Sequence, residues 1–191
     1  FFKIVQSEID RINTIVKELL EFAKPAPLQA QPVRVSQVLD ETLTLLSNQT
    51  LKHGVEVQRA FLENGLTIHA DPKQLKQMLL NLLLNSLEAM PHGGRLTLAT
   101  SLQDERLLLT VMDTGCGIPD EYQAKLFDPF FTTKERGIGL GLVVVKGVVE
   151  RHGGSIVIRS RPGAGTTVEI HLPVTQTPDV RLQTSGSRQE T

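Results

Sequence analysis

"DPKQLKQMLLNLLLNSLEAMP", residues 71–91, is dominated by leucine yet sets Asn81, Asn85 and Glu88 among its apolar positions. Asp71 suits an N-cap, Pro72 the first helical position, and Gln74 the place where a capping box wants Glu or Gln. Pro91 and His92-Gly93-Gly94 then stop the helix. At about 100° per residue, steps of four and three bring the three polar residues onto one stripe, with leucines over most of the rest. Two readings follow. A core helix can carry a few amides that find partners, or a polar seam can line a ligand pocket inside a mostly buried helix.

The chain has 191 residues, enough for one domain with an ordinary core plus an appendage. Its formal net charge is −1 and it has no long basic run, which disfavours a charged nucleic-acid footprint. A single cysteine, Cys116, excludes a disulfide framework and a multi-cysteine zinc site. No apolar stretch approaches the ~18 residues of a membrane span, and no signal peptide opens the chain. It starts "FFKIVQ", so a longer protein, with a membrane-bound part upstream, fits the sequence.

Residues 1–23 carry Val5, Ile9, Ile12, Val16, Leu19 and Phe22 at helical steps, a narrow seam suited to pairing with another helix. "KPAPLQAQP" (24–32) holds three prolines and reads as a linker. From residue 33 to 174 the pattern is mixed α and β. A helix runs from about Ser36 to His53 and closes at Gly54. "VEVQRAF" and "LTIHA" alternate like a strand pair around Glu63-Asn64-Gly65. After the striped helix, "RLTLATSL" and "RLLLTVMD" form a hairpin across Gln103-Asp104-Glu105. "GLVVVKGVVERHGG" is an apolar helix, and "SIVIRS" and "TTVEIHLP" are closing strands around "RPGAG". Residues 175–191 are polar without periodicity and read as a disordered tail.

Three stretches carry chemistry. "MDTGCGIP" (112–119) puts Asp113 at a strand end before Gly115 and Gly117. Such glycines let backbone approach a ligand, and a carboxylate there can accept from an exocyclic amine such as N6 of adenine. "GIGLGL" (137–142) sets Gly137, Gly139, Leu140 and Gly141 at a helix start, an anion site by geometry and dipole. It is neither a dinucleotide fingerprint nor a P-loop, since no strand runs directly into it and no Gly-Lys-Ser/Thr follows. Between them "LFDPFFTTKERG" (126–137) clusters Phe127, Phe130 and Phe131 and brings Lys134 to the glycines. Taken singly, these stretches also fit a capped turn, a helix start and a small satellite core.

In this order the pieces resemble the catalytic, ATP-binding domain of sensor histidine kinases in the GHKL superfamily. The resemblance spans about residues 33–173. "IDRINTIVKELLEFAKP" is similar, more loosely, to the second helix of the dimerisation and phosphotransfer hairpin, nearest the nitrogen-regulation and sporulation kinases. The resemblance implies a two-layer α/β sandwich, one mixed sheet under about three helices, preceded by the hairpin helix. It implies ATP and Mg²⁺ as ligands, with Asn85 on the metal and Asn81 as the other box asparagine. Asp113 with Gly115 and Gly117 would read adenine, and Lys134, Gly137, Gly139, Leu140 and Gly141 would cradle phosphate. Thr166 would lie near the adenine side; many members carry a basic residue at the position of Glu88, which stands outside the implied site.

The superfamily also holds ATPases such as gyrase and mismatch-repair proteins, whose Glu at the position of Asn81 activates water. Asn has no carboxylate to accept that proton, which favours phosphotransfer to a histidine, with Asn81 and Lys134 as catalytic residues. A nucleotide-sensing module that has lost catalysis is the rival of another class. The resemblance further implies a homodimer through the hairpin, a response regulator receiver domain as partner, and a cytoplasmic location, free or beneath a membrane-bound sensor.

Overall fold

The computed structural model describes residues 27–62, 66–134 and 137–174, together with Val5, Gln6, Ile9, Val16, Leu19 and Leu20. Those six are helical and exposed. The rest of the expected pairing helix at 1–23 and the expected tail at 175–191 lie outside the described residues.

The sandwich follows from two periodicities that meet at one core. Along β4 (Gly94–Gln103), β5 (Arg106–Asp113) and β7 (Gly165–Pro173), alternate residues are buried, among them Leu96, Leu98, Leu107, Leu109, Val111, Val168, Ile170 and Leu172. Three helices cover that face: α1 (Val35–His53), α2 (Pro72–Glu88) and α4 (Gly141–Arg151). Their buried stripes join the same cluster through Leu39, Leu43, Met78, Leu83, Val145 and Val149. A strand face and a helical stripe each need a partner, and stacking one on the other buries both.

The larger sheet has the order β2-β4-β5-β7-β6, with β2 (Val55–Ala60) and β6 (Ser155–Arg161) at its edges. Only the β2–β4 pairing is parallel, and α2 lies in the crossover that such a pairing requires. The sheet is therefore mixed, as expected. The hairpin turns at Asp104 and Glu105, both with positive φ, +48° and +58°. This is the backbone of a tight hairpin that matches strand twist.

One pairing differs from the sequence reading. The two runs around residues 63–65 do not pair with each other. Instead β3 (Thr67–Ala70) pairs antiparallel with β1 (Gln31–Arg34), a strand at the end of the proline-rich stretch, and β2 joins β4. Alternation reports which side chains face the core; it does not report which strand lies alongside. A short helix, α3 (Asp120–Gln123), was also not foreseen.

The start of α2 is tied to two other segments, the proline-rich stretch and the end of α4. Asp71 accepts from the backbone N–H groups of Lys73 and Gln74, at 3.0 and 3.2 Å, and from that of Gln29 at 3.0 Å. Its own N–H, which a capping box would give to Gln74, goes to Nε2 of buried His152 at 3.0 Å, and Nδ1 of that ring lies 2.8 Å from the carbonyl of Val148. The ring is therefore the Nδ1–H tautomer, accepting at Nε2. Gln74 instead donates to the Asp71 carboxylate and accepts from Arg151.

Burial works to raise the Asp71 carboxyl, but the hydrogen bonds from Gln29, Gln74 and Lys73 outweigh it and hold it below the usual carboxylate range. A depressed pKa contributes stability above the unfolded value of about 3.9, and that contribution is lost as pH falls through the folded value. Asp71→Ala should cost about 1–2 kcal/mol at neutral pH, as caps do. In urea titrations across pH, its stability should fall less than the wild type's below about pH 4.

Candidate nucleotide-binding site

Strand parity places the central carboxylate. Asp113 continues the inward series Leu107, Leu109, Val111, so its side chain turns to the helix layer and is only 5% exposed. A carboxylate there needs donors. Oδ1 accepts from the N–H of Gly115 at 2.9 Å and of Thr166 at 3.2 Å, and Oδ2 accepts from the hydroxyl of Ser86 at 3.0 Å. Thr166 is the register partner of Asp113 across β5–β7. With two lone pairs per oxygen, Oδ2 retains one that no donor among the described residues fills.

The glycines here are required by packing to different degrees. A Cβ on Gly165 (φ +86°) would lie 2.0 Å from the carbonyl oxygen of Asp113, and one on Gly117 (φ +70°) 2.0 Å from that of Arg161. On Gly115 it would meet Ala89 at 2.7 Å. These contacts close the turn after β5 against β6, β7 and the end of α2. Gly139 (φ +77°) allows the glycine loop to pass within 2.5 Å of the Phe130 and Phe131 backbone, measured from its would-be Cβ. Gly141, first residue of α4, has nothing within 4 Å of that position. Its missing side chain leaves open space at a helix start.

Asn81 and Asn85 lie on the half-buried flank of α2, and Glu88 one turn further on is exposed. Asn81 Nδ2 donates to the carbonyl of Gly141 at 3.2 Å, which joins α2 to the first turn of α4. Asn85 Oδ1 accepts from Lys134 Nζ at 2.6 Å, and the same ammonium bonds the Glu88 carboxylate. The polar stripe thus faces the glycine loop. Leu140, between the glycines of that loop, is fully buried. Gly137 closes a turn by donating to the Lys134 carbonyl at 3.3 Å.

The phenylalanines divide. Phe131 packs on Tyr122 of α3 with ring centroids 5.7 Å apart, and Phe127 lies under Lys146 of α4 at 5.4 Å. Phe130 is exposed with φ +67°, and its N–H bonds the Gly139 carbonyl at 3.2 Å. Sequence reasoning missed Ser86, the donor to Asp113, and Ser160, whose hydroxyl meets Thr166 at 2.9 Å and accepts from Ile118 N. Ser86 did carry a signal: it follows Leu79, Leu82 and Leu83 on the buried face, where a hydroxyl needs a partner.

Comparison with known proteins gives a consistent result. Residues 70–176 match the family model "Histidine kinase-, DNA gyrase B-, and HSP90-like ATPase". Sporulation kinase E of Bacillus subtilis is 36% identical over 182 residues, covering 95% of this chain and 25% of that protein. ShkA, solved full-length in complex with AMPPNP, superposes with a TM-score of 0.82 at 28% identity, over 91% of this chain and 38% of that one. Histidine kinase ThkA, solved with response regulator protein TrrA, gives 0.77 at 29%, over 90% and 50%. The chain thus spans half or less of each of these proteins.

Gly165→Ala should destabilise the fold by several kcal/mol, since backbone must move at a positive φ. Gly141→Ala should leave stability within about 1 kcal/mol of wild type, or raise it, because Ala is the better helix former. Thermal melts of the two variants test the contrast.

Proposed function

Because the chain belongs to the histidine kinase-, DNA gyrase B- and HSP90-like ATPase family, we propose that residues 33–174 are the ATP-binding catalytic domain of a two-component sensor histidine kinase. It transfers the γ-phosphate of ATP to a histidine on a dimerisation hairpin, for relay to an aspartate of a response regulator receiver domain. Residues 1–23 would be the second hairpin helix, reached through the linker at 24–32, and the whole protein a homodimer through that hairpin. The observation that carries the reading is Asn81. Where α2 meets the first turn of α4 the chain has an amide, bonded to the Gly141 carbonyl, in place of a carboxylate that could take a proton from water.

Each site residue has a role in this reading. Oδ2 of Asp113, with its spare lone pair, receives the adenine amine, while Ser86 and the N–H groups of Gly115 and Thr166 hold the carboxylate in place. The glycine turn at 115–117 sets backbone against the base. The loop of Gly137, Gly139, Leu140 and Gly141 cradles phosphate at the start of α4, where the open space at Gly141 admits it. Lys134 supplies positive charge. Asn85 Oδ1 fits a metal ion, since it already accepts a cation, the Lys134 ammonium. An uncharged oxygen suits an ion that takes its negative ligands from phosphates and keeps waters. When bound, Mg²⁺ would neutralise charge on the transferring phosphoryl group. Asn81 cannot take a proton from water, so it spares ATP from hydrolysis while positioning the phosphate end of the site.

The acceptor histidine must come from another segment. His152 is buried with both ring nitrogens bonded, and His53, His69, His92 and His171 are followed by Gly, Ala, Gly and Leu. None has an acidic neighbour to help take its proton. Among the described residues no helix is long and apolar enough to cross a membrane. The proposed location is cytoplasmic, free or as the inner part of a membrane-bound sensor.

With γ-labelled ATP the chain alone should stay unlabelled, and adding a hairpin domain that carries its histidine should produce acid-labile label. Acid-labile label on the chain alone would contradict the proposal. Hydrolysis near the median enzyme rate of about 10 per second would move the assignment to the ATPase branch of the family.

A further inference from the structure

The Lys134 ammonium occupies the oxygen that the proposed function gives to the metal. It reaches across 49 residues to Asn85 Oδ1 and across 46 to the Glu88 carboxylate, so a single cation spans both groups. The reach is built into the local backbone. Lys134 N–H donates to the Thr132 hydroxyl at 3.1 Å, and Gly137 N–H closes on the Lys134 carbonyl at 3.3 Å. Gly137 is compact for the same reason, since a Cβ there would meet the Thr132 hydroxyl at 2.6 Å. Glu88 stands one turn beyond Asn85 on the same helix flank, where residues three apart are neighbours. Asn85 alone would be a weak hold; the Glu88 carboxylate adds the charge.

We propose that Glu88 is a positioning residue that latches Lys134 onto Asn85 in the nucleotide-free protein, so that Lys134 and the metal–nucleotide complex compete for one oxygen. The inference rests on the assignment of Asn85 to the metal. An ammonium on Asn85 Oδ1 and a metal ion on the same atom exclude each other, and a cation held near the γ-phosphate end must release Glu88 before it can serve phosphate. Release is cheap, because the two side chains are 43% and 54% exposed and water replaces what is lost. The latch is therefore a modest attenuator: apparent affinity falls by the fraction of protein whose site is closed. It also makes the Phe130–Lys134 stretch ordered before any ligand arrives.

Two measurements separate the latch from the reading beneath it. In nucleotide-free protein, Glu88→Gln should speed amide exchange in peptides covering Phe130–Lys134 by about threefold, the worth of a half-exposed ion pair. High salt should do the same to the wild type. Exchanging the charges, Glu88→Lys with Lys134→Glu, should restore protection. Unchanged exchange in Glu88→Gln overturns the latch, and so does failure of the exchanged pair to restore protection. In calorimetry with AMPPNP and Mg²⁺, Glu88→Gln should bind about threefold more tightly than wild type. Weaker binding would make Glu88 a direct ligand-side contributor and overturn the proposal. Failure of both proteins to bind AMPPNP would remove the nucleotide reading, while the exchange result would still decide whether the latch exists.

Discussion

A buried carboxylate sets the terms for one end of the domain. Asp113 is inward because its strand alternates, and a carboxylate is costly to bury there without donors. Three donors make it tolerable: two backbone N–H groups and the Ser86 hydroxyl. Those donors come from the turn after β5, from β7 and from α2, so satisfying one side chain fixes the mutual position of three elements. The glycines follow from this. Gly165 is the residue before Thr166, and its place against the Asp113 carbonyl admits no side chain. The carboxylate, with one lone pair of Oδ2 that no donor among the described residues fills, is thereby held rigid by the fold.

The other end is organised by a helix pair braced twice. α2 and α4 run antiparallel, joined at the glycine loop by Asn81 and Gly141 and at the far end by Asp71, His152, Gln74 and Arg151. Between these braces the leucines of α2 and the valines of α4 share one core. The Gln29 N–H on Asp71 adds a link from the proline-rich segment directly to the start of α2. Motion of that segment would thus reach the helix that carries Asn81 and Asn85 through one carboxylate. Asn81, Asn85 and Glu88 lie along the flank of α2 that meets Gly141 and Lys134.

Much of this was legible in the sequence. The leucine repeat with its polar stripe marked α2, its cap and its polar flank together. Alternation gave β4, β5, β6 and β7 and put Asp113 at a strand end. What pattern could not supply was partner choice. β2 and β3 look like a pair because each alternates and Glu63-Asn64-Gly65 reads as a turn in the sequence, yet the parallel crossover through α2 takes β2 to β4. β1 was hidden by its proline, and Pro32 is tolerated because, among the described residues, its sheet has two strands, both of them edges. The roles of Ser86, His152 and Glu88 needed distances. A hydroxyl, an imidazole and a carboxylate on a helix carry no mark of whether they meet a strand carboxylate, a backbone N–H or a lysine 46 residues away.

The central claim is that this carboxylate reads adenine, and calorimetry with ATP and GTP in the presence of Mg²⁺ tests it most directly. The claim predicts that ATP binds at least tenfold more tightly than GTP, the worth of one hydrogen bond to a charged group, about 1.5–3 kcal/mol. It also predicts that Asp113→Asn removes most of that preference while the protein stays folded. Equal affinities of the wild type for ATP and GTP would contradict it.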